Sequence, residues 1–324
     1  MLALSPEEIR TAHRRIAPHT VRTPLLRSDA INAQANGSII FKYEGFQKTG
    51  SFKVRGALNA LLWLKEQGQL PAHVVAFSSG NHAQALAYAA RLLGTKATMF
   101  IPGTASAFKI NATRALGAEV ILTATRAEAE QRSGEIVATG ATLIPPFDHD
   151  MIIAGQGTSC LEALEDGVSP DAIFATIGGG GWISGTYLAA QLLCPQAQII
   201  GAEPAIANDA AISYRTGAIH RLAQPPLTIA DGARTPAIAE RTFAYIKKLH
   251  GIIELDEATI IRWAQMLALT LKVTVEPTSA VAAAASAQWL GLPENHGKTA
   301  LVLLSGGNID PSTHQEIWQS SIVV

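Results

Sequence analysis

Short apolar runs rich in β-branched residues alternate with helix-length stretches along most of this 324-residue chain. Few folds tolerate that alternation. Ser38 to Tyr43 reads as a strand, as do Val74 to Phe77, Ala97 to Ile101, Glu119 to Leu122, Ala172 to Thr176, Gln198 to Ala202 and Thr299 to Leu304. Helix-length segments lie between them: Gly56 to Glu66, Ala83 to Leu93, Ala107 to Leu116 and Arg126 to Ala138. Parallel strands joined by crossover helices produce this order, and strands covered on both faces read as nearly continuous apolar runs. The pattern predicts an α/β fold with open, twisted, mostly parallel sheets.

The chain is longer than one compact core usually accommodates. Pro145-Pro146 ends a compact unit that begins near residue 54. This punctuation predicts a small inserted domain over 54–147, roughly 90–100 residues and a plausible domain size. The large domain is then 1–53 with 148–324. The chain stops soon after the strand at Thr299 to Leu304, so no C-terminal regulatory domain is expected.

Composition excludes several classes of function. With 48% hydrophobic and 16% charged residues, the chain can bury a sizeable core and is unlike a disordered one. A net charge of −1 without a Lys/Arg stripe argues against a nucleic-acid partner. Its 2 cysteines, Cys160 and Cys194, each in an apolar helix-like stretch, form no disulfide framework and suit a reducing cytoplasm. The start reads as a helix, with Ser5 as cap, Pro6 in the first turn and Glu8 closing a capping box, rather than as a secretory leader. No stretch is apolar for long enough to be a membrane span.

Four segments place small or polar residues just after strand-like runs, where open α/β sheets bind ligands. Gln47 to Gly56 puts Lys53 at a loop-to-helix junction with the Ser51 hydroxyl two residues before it. Buried there, a lysine becomes a Schiff-base former, whereas most lysines are merely solvated. Ser78-Ser79-Gly80-Asn81-His82 opens a helix, whose unpaired amides attract carboxylates or phosphates. A cap by Asn81 and a structural His82 are the ordinary alternative. Gly178 to Gly181 put four glycines between a buried strand and a helix, a backbone phosphate cradle without the ending of a Walker A loop. Ser305-Gly306-Gly307-Asn308 follows the last strand and presents a neutral hydroxyl, or is a simple turn.

Taken together, these segments resemble the fold-type II pyridoxal-phosphate enzymes, the serine/threonine dehydratase and serine racemase group, with a tryptophan-synthase-β-like fold. Seven motifs occur in that group's order across essentially the whole chain. Those not yet quoted are Ala202-Glu203-Pro204, Thr228 to Gly232 and Glu276-Pro277-Thr278. The resemblance implies that Lys53 holds pyridoxal 5'-phosphate as a Schiff base. Phe52 would pack on its ring, Asn81 would meet the phenolic oxygen, the amides of Gly178, Gly179, Gly180 and Gly181 would hold the phosphate, and Ser305 would meet the pyridine nitrogen. Ser78, Ser79, Asn81 and His82 would receive the substrate carboxylate. A divalent cation, Mg²⁺ or else Ca²⁺ or Mn²⁺, would sit near Glu203, the Ala207 carbonyl and Asp209, oxygen ligands that suit such ions. A homodimer is implied as well.

A neutral Ser305 cannot impose a positive charge on the ring as an aspartate does in many other pyridoxal enzymes, so the electron sink is weaker and loss of a β-hydroxyl competes well. With Lys53 as the Cα base, this predicts a dehydratase (ammonia-lyase) that turns a small β-hydroxy amino acid into a 2-oxo acid and ammonia. Serine or threonine stands first as substrate and 3-hydroxyaspartate second. Racemisation by Lys53 and Ser79 on opposite faces is the close alternative. Where racemases of the group carry an arginine, this chain has Glu130, with Arg126 and Arg132 nearby and Arg234 elsewhere as candidates to bind a second carboxylate. Two readings from other classes are weaker. A cofactor-free binding protein would have no need of Lys53, and a nicotinamide enzyme would need an early Gly-x-Gly-x-x-Gly that is missing.

Overall fold

The computed structural model describes residues 4–78, 80–103, 105 and 107–321. In chain order the first elements are α1 (Glu7–Ile16), β1 (Leu25–Leu26), α2 (Asp29–Ala35), β2 (Ser38–Tyr43), α3 (Lys53–Glu66), β3 (His73–Phe77), α4 (Asn81–Leu93) and β4 (Lys96–Pro102). Next come α5 (Ala107–Ala115), β5 (Glu119–Thr123), α6 (Arg126–Ala138), β6 (Thr142–Leu143), α7 (Asp150–Glu165), β7 (Ala172–Thr176) and α8 (Gly181–Leu193). The rest are β8 (Gln198–Pro204), α9 (Asp209–Thr216), α10 (Glu240–Ile246), β9 (Gly251–Leu255), α11 (Glu257–Leu271), α12 (Pro277–Leu290), β10 (Thr299–Leu304) and α13 (Pro311–Gln319).

Two sheets form: six strands in the order β1-β2-β10-β7-β8-β9, and four in the order β5-β4-β3-β6. Every pairing is parallel except that of β1 with β2. All seven strands read from the sequence are present. The two-residue β1 and β6 carry no period to read, and β9 is a half-buried edge strand with a weak signal.

Alternation across the pleat builds the core. Ile173 and Ala175 of β7 join a buried cluster with α7 and α8 residues, while Ala172 and Phe174 join another with α11 and α12. A parallel sheet needs both covers, and this explains why β7 is buried at every position.

The start of the chain departs from expectation. Pro6 already has helical dihedrals (φ −53°, ψ −34°), so the Ser5 hydroxyl accepts from Glu7 N at 3.3 Å and the capping box with Glu8 does not form. Cys160 and Cys194 are buried free thiols. Among the described residues, no helix is long and apolar enough to cross a membrane.

A buried ion network anchors the helix that begins at Lys53. The Arg55 guanidinium donates to Glu44 (Nε to Oε2, 2.7 Å) and to Glu162 (Nη1 to Oε1, 2.7 Å), and the Lys42 ammonium reaches Glu162 at 2.8 Å. Four fully buried charges thereby tie α3 to α7 and to the end of β2, two residues from Lys53. Ion pairs this deep hold geometry because breaking one strands an unpaired charge.

Candidate active site

The carboxyl ends of β2, β3, β7 and β10 border one cavity of about 450 Å³ between the two sheets, within the range of small-molecule sites. Phe52, Lys53, Ser78, Asn81, His82, Gly178 to Gly181 and Ser305 all line it, so residues far apart in the chain meet at one cavity. Ser79 lies outside the described residues, between Ser78 and Gly80, which both face the cavity.

The Lys53 amine donates to the carbonyl of Pro146 at 3.0 Å and lies 4.9 Å from the centre of the Phe52 ring. Burial pushes its pKa down to about 8, although the nearby Glu276 carboxylate opposes the shift. The Phe52 ring stacks on Trp182, with centroids 4.0 Å apart and an angle of 8°. These two rings make an apolar wall beside the amine.

Gly180 adopts φ +86°, a left-handed conformation favouring glycine, and caps α8. A side chain on Gly179 would place its Cβ 2.1 Å from the Phe147 ring. The loop carbonyls are occupied, Gly179 O by the Thr242 hydroxyl at 2.9 Å and Gly180 O by the Ser184 hydroxyl at 2.6 Å. Among the described residues, the four amides of Gly178 to Gly181 donate to no acceptor. Unpaired amides at the start of a 13-residue helix make a site for a phosphate.

Ser305 does not stand alone at the end of β10. Its hydroxyl donates to Glu276 Oε1 at 2.5 Å, and Glu276 Oε2 accepts from Asn81 Nδ2 at 2.9 Å. Burial raises the Glu276 carboxyl to about 7 and Asp231 adds to the shift, while the bonds from Ser305 and Asn81 and the charge of Lys109 oppose it. Glu276 stands in one of the motifs quoted from the sequence, but the motif alone assigns it no role. Asn81 is the first residue of α4 rather than its cap, since Gly80 holds the cap position.

His82 is neutral at physiological pH. Burial pushes its pKa down to about 4, the Lys53 charge pushes the same way, and the bond to the Ile144 carbonyl opposes them. That carbonyl, 2.8 Å from Nε2, can only accept, so Nε2 carries the proton. His82 therefore offers an incoming carboxylate no positive charge. What α4 offers is its amide terminus.

Charged groups gather at the cavity mouth. Lys109 of α5 pairs with Asp231 and, at 3.0 Å, with Asp310, joining the helices over the small sheet to loops of the large one. Arg234 also lines the cavity; its Nε donates to Thr228 O at 2.7 Å, and among the described residues no carboxylate pairs with it. Of α6, Ala129 faces the cavity, Glu130 is exposed, and Arg132 lies 5.5 Å over the Phe100 ring and 3.5 Å from Glu128. Arg126 has no described side chain.

Glu203 near the end of β8, and Ala207 and Asp209 just after it, are all buried. Glu203 accepts from the amides of Ala210 at 3.3 Å and Ala211 at 2.8 Å, and Asp209 Oδ2 is buried without a partner. Burial raises the Asp209 carboxyl to about 7, and burial together with Asp209 raises Glu203 well above its usual range. No set of three or more His, Cys, Asp or Glu side chains capable of holding a metal occurs among the described residues, so a third ligand here would have to be backbone.

A buried amine of lowered pKa, unpaired helix-start amides and an aromatic wall in one α/β cleft define an enzyme suited to a phosphate-bearing carbonyl cofactor. The chain belongs to the pyridoxal-phosphate dependent enzyme family, whose profile matches residues 16–306. It is similar to L-threo-3-hydroxyaspartate ammonia-lyase of Saccharomyces cerevisiae, 41% identical and covering 94% of this chain and 93% of that one. It is also similar to serine racemase of Schizosaccharomyces pombe, 38% identical with 94% of each chain covered. Among solved structures, a T.th. threonine deaminase superposes with a TM-score of 0.87 at 41% identity, covering 94% of this chain and 99% of that one. Maize serine racemase superposes with a TM-score of 0.90 at 37% identity, with 98% of each chain covered. The two-sheet α/β fold expected from the sequence is the fold these proteins share.

Proposed function

We propose that the protein is a pyridoxal-phosphate-dependent ammonia-lyase that converts a small β-hydroxy amino acid, 3-hydroxyaspartate foremost, into a 2-oxo acid and ammonia. The observation that carries this reading is the single cavity joining the Lys53 amine, the unpaired amides of Gly178 to Gly181 and the neutral Ser305 hydroxyl. When bound, the cofactor would supply an electron sink for the carbanion left by loss of the Cα proton. Lys53 would be its attachment point and would serve as the base for that proton; its depressed pKa keeps a useful fraction of amine neutral. Gly178 to Gly181 would receive the phosphate, Phe52 would flank the ring, Asn81 would meet its phenolic oxygen and Ser305 its nitrogen. Ser78, Ser79, Asn81 and the uncharged His82 orient the substrate carboxylate at the start of α4.

Substrate choice shifts from the sequence-based order because Arg234 borders the cavity without a carboxylate partner among the described residues, which suits a substrate bearing a second carboxylate. Relatives named as acting on hydroxyaspartate, from Saccharomyces cerevisiae, Pseudomonas and Paracoccus denitrificans, are 37–41% identical. Racemisation remains the second reading. Ser79 lies between two cavity-lining residues, and serine racemases are among the relatives at 38% identity. Assaying the stereoisomers of serine, threonine and 3-hydroxyaspartate for oxo acid and for the opposite enantiomer tests both. Oxo acid from none of them overturns the lyase reading.

The same proposal includes a divalent cation, Mg²⁺ or else Ca²⁺ or Mn²⁺, held by Glu203, the Ala207 carbonyl and Asp209. Two buried carboxylates with raised pKa values and an unpartnered oxygen support it. Residues 54–147 form the small domain in this reading and 1–53 with 148–324 the large one, and the assembly is a cytoplasmic homodimer.

A further inference from the structure

Ser305 and Asn81 sit on different elements, yet one carboxyl group, that of Glu276, bonds to both, at 2.5 Å and 2.9 Å. Hydrogen-bond directions around it can be worked out from a fixed end. The Thr49 carbonyl can only accept, and it receives Asn308 Nδ2 at 2.8 Å. The same nitrogen donates to Asn81 at 2.8 Å, so the oxygen of Asn81 faces Asn308 and its amino group faces Glu276. Glu276 Oε2 must therefore accept in every protonation state. Any proton that Glu276 holds sits on Oε1, facing Ser305.

We propose that Glu276 is a positioning residue whose proton sets which way the Ser305 hydroxyl donates. As a carboxylate, Glu276 takes the Ser305 hydrogen, and Ser305 has only lone pairs to offer the cavity. Once protonated, Glu276 donates to Ser305, whose own hydrogen is then released to point at an acceptor in the cavity or at Ser279 Oγ. The inference rests on the reading of Ser305 as the partner of the cofactor's ring nitrogen. The first state favours a protonated ring nitrogen and a stronger electron sink; the second favours a neutral nitrogen and a weaker sink. Asn81 keeps its orientation in both states, so the change is confined to the Ser305 side.

Nearby groups make the switch adjustable. Ser279 Oγ lies 3.1 Å from Ser305 Oγ and gives its own hydrogen to Gly306 O at 3.0 Å, so toward Ser305 it acts as an acceptor; Gly306 N already takes one of its lone pairs at 3.1 Å, and the other shares the released Ser305 hydrogen with the cavity. Asp231 raises the Glu276 carboxyl and Lys109, itself paired with Asp231 and Asp310, lowers it; Lys53 and Tyr43 also feel its charge. Burial brings the whole balance to about 7.

Glu276→Gln tests this with a defined outcome. Because Asn81 presents donors, the glutamine oxygen must face Asn81 and its amino group must face Ser305, which mimics protonated Glu276 permanently. The readout is visible absorbance of the holoenzyme, titrated across neutral pH. In the native enzyme the cofactor band should shift with one proton around pH 7. In Glu276→Gln the band should match the native low-pH spectrum and stay flat. Ser305→Ala, which breaks the link but leaves Glu276 in place, should also be flat. A native-like titration in either variant overturns the proposal, and should Glu276→Gln fail to hold the cofactor, Ser305→Ala decides alone. If the native protein forms no reducible visible band with pyridoxal 5'-phosphate, the functional reading itself fails instead.

Discussion

Lys53 and Pro146 lie 93 positions apart, yet the amine of one donates to the carbonyl of the other at 3.0 Å. Pro146 belongs to the strap that returns from the four-stranded sheet to α7, and its carbonyl also accepts from Gln156 Nε2 at 3.1 Å. The strap thus holds the amine beside the glycine loop before any ligand arrives, and Gln156 keeps the carbonyl satisfied when the amine leaves.

With a pKa of about 8, about a tenth of the Lys53 amine is neutral at pH 7, against about one part in three thousand for an ordinary lysine. The neutral amine is the nucleophile, so cofactor loading should accelerate as pH rises through about 8 and level off above it. Stopped-flow absorbance after mixing apoprotein with pyridoxal 5'-phosphate measures this. A rate still climbing tenfold per unit above pH 9 would show an unshifted lysine. Lys53→Ala should give no borohydride-reducible band and should cut turnover by at least ~10³-fold, as loss of a covalent residue does.

Arg55 predicts a stability effect close to the site. Its guanidinium lies between Glu44 and Glu162 with no exposure, so Arg55→Met leaves the buried Glu44 without a cation and Glu162 with Lys42 alone, and should cost about 3–5 kcal/mol. Desolvation works against the charge of Glu162, but Arg55 and Lys42 outweigh it and hold its pKa below the usual carboxylate range. A depressed carboxyl stabilises the fold above its unfolded pKa and loses that contribution as pH falls through the lower folded value. Native protein should therefore lose denaturant resistance in acid below about pH 4, and Arg55→Met should lose less over the same interval. Equal acid sensitivity in the two proteins would remove Glu162 from the account.

What was legible in the sequence follows from the range of the forces involved. Central strands such as Ala172 to Thr176 announce themselves because both faces are buried, and the glycine run does so because only glycine fits beside Phe147. The edge strand Gly251–Leu255 is half-buried and lacks that signal. Ser5 had the right chemistry for a cap, but Pro6 starts the helical dihedrals one residue sooner. Glu276 was invisible as a functional group because its partner Asn81 is 195 residues away and only the fold brings them together. The state of His82 was hidden for the same reason: the carbonyl that fixes its tautomer comes from Ile144, on another segment.

Two buried carboxylates that form no salt bridge among the described residues, with Arg221 only partly offsetting the charge of Asp209, predict a response to divalent ions. Millimolar Mg²⁺, Ca²⁺ or Mn²⁺ should raise the thermal unfolding midpoint, by an amount equivalent to about 2.7 kcal/mol at a hundredfold excess over Kd. Asp209→Asn removes a charged ligand whose Oδ2 has no other partner and should abolish most of the response, while Na⁺ should not reproduce it. No shift with any of the three ions would leave Glu203 as a cap for the start of α9, a role its bonds to Ala210 and Ala211 already fill.

Arg234 carries the prediction about substrate. Thr228 O holds its Nε at 2.7 Å, which fixes the guanidinium plane while the two terminal nitrogens have no carboxylate partner among the described residues. A second substrate carboxylate would find two parallel donors there, a geometry that lysine cannot imitate. Hydrogen bonds between charged groups contribute about 1.5–3 kcal/mol, so Arg234→Gln should lower kcat/KM for 3-hydroxyaspartate by about 10- to 150-fold. Serine, lacking that carboxylate, should change by less than about threefold, because nothing it binds has been removed. Arg234→Lys should recover only part of the loss. An equal fall for both substrates would make Arg234 a support for the 228–235 loop rather than a reader of the side chain, and an unchanged ratio would return serine and threonine to the front.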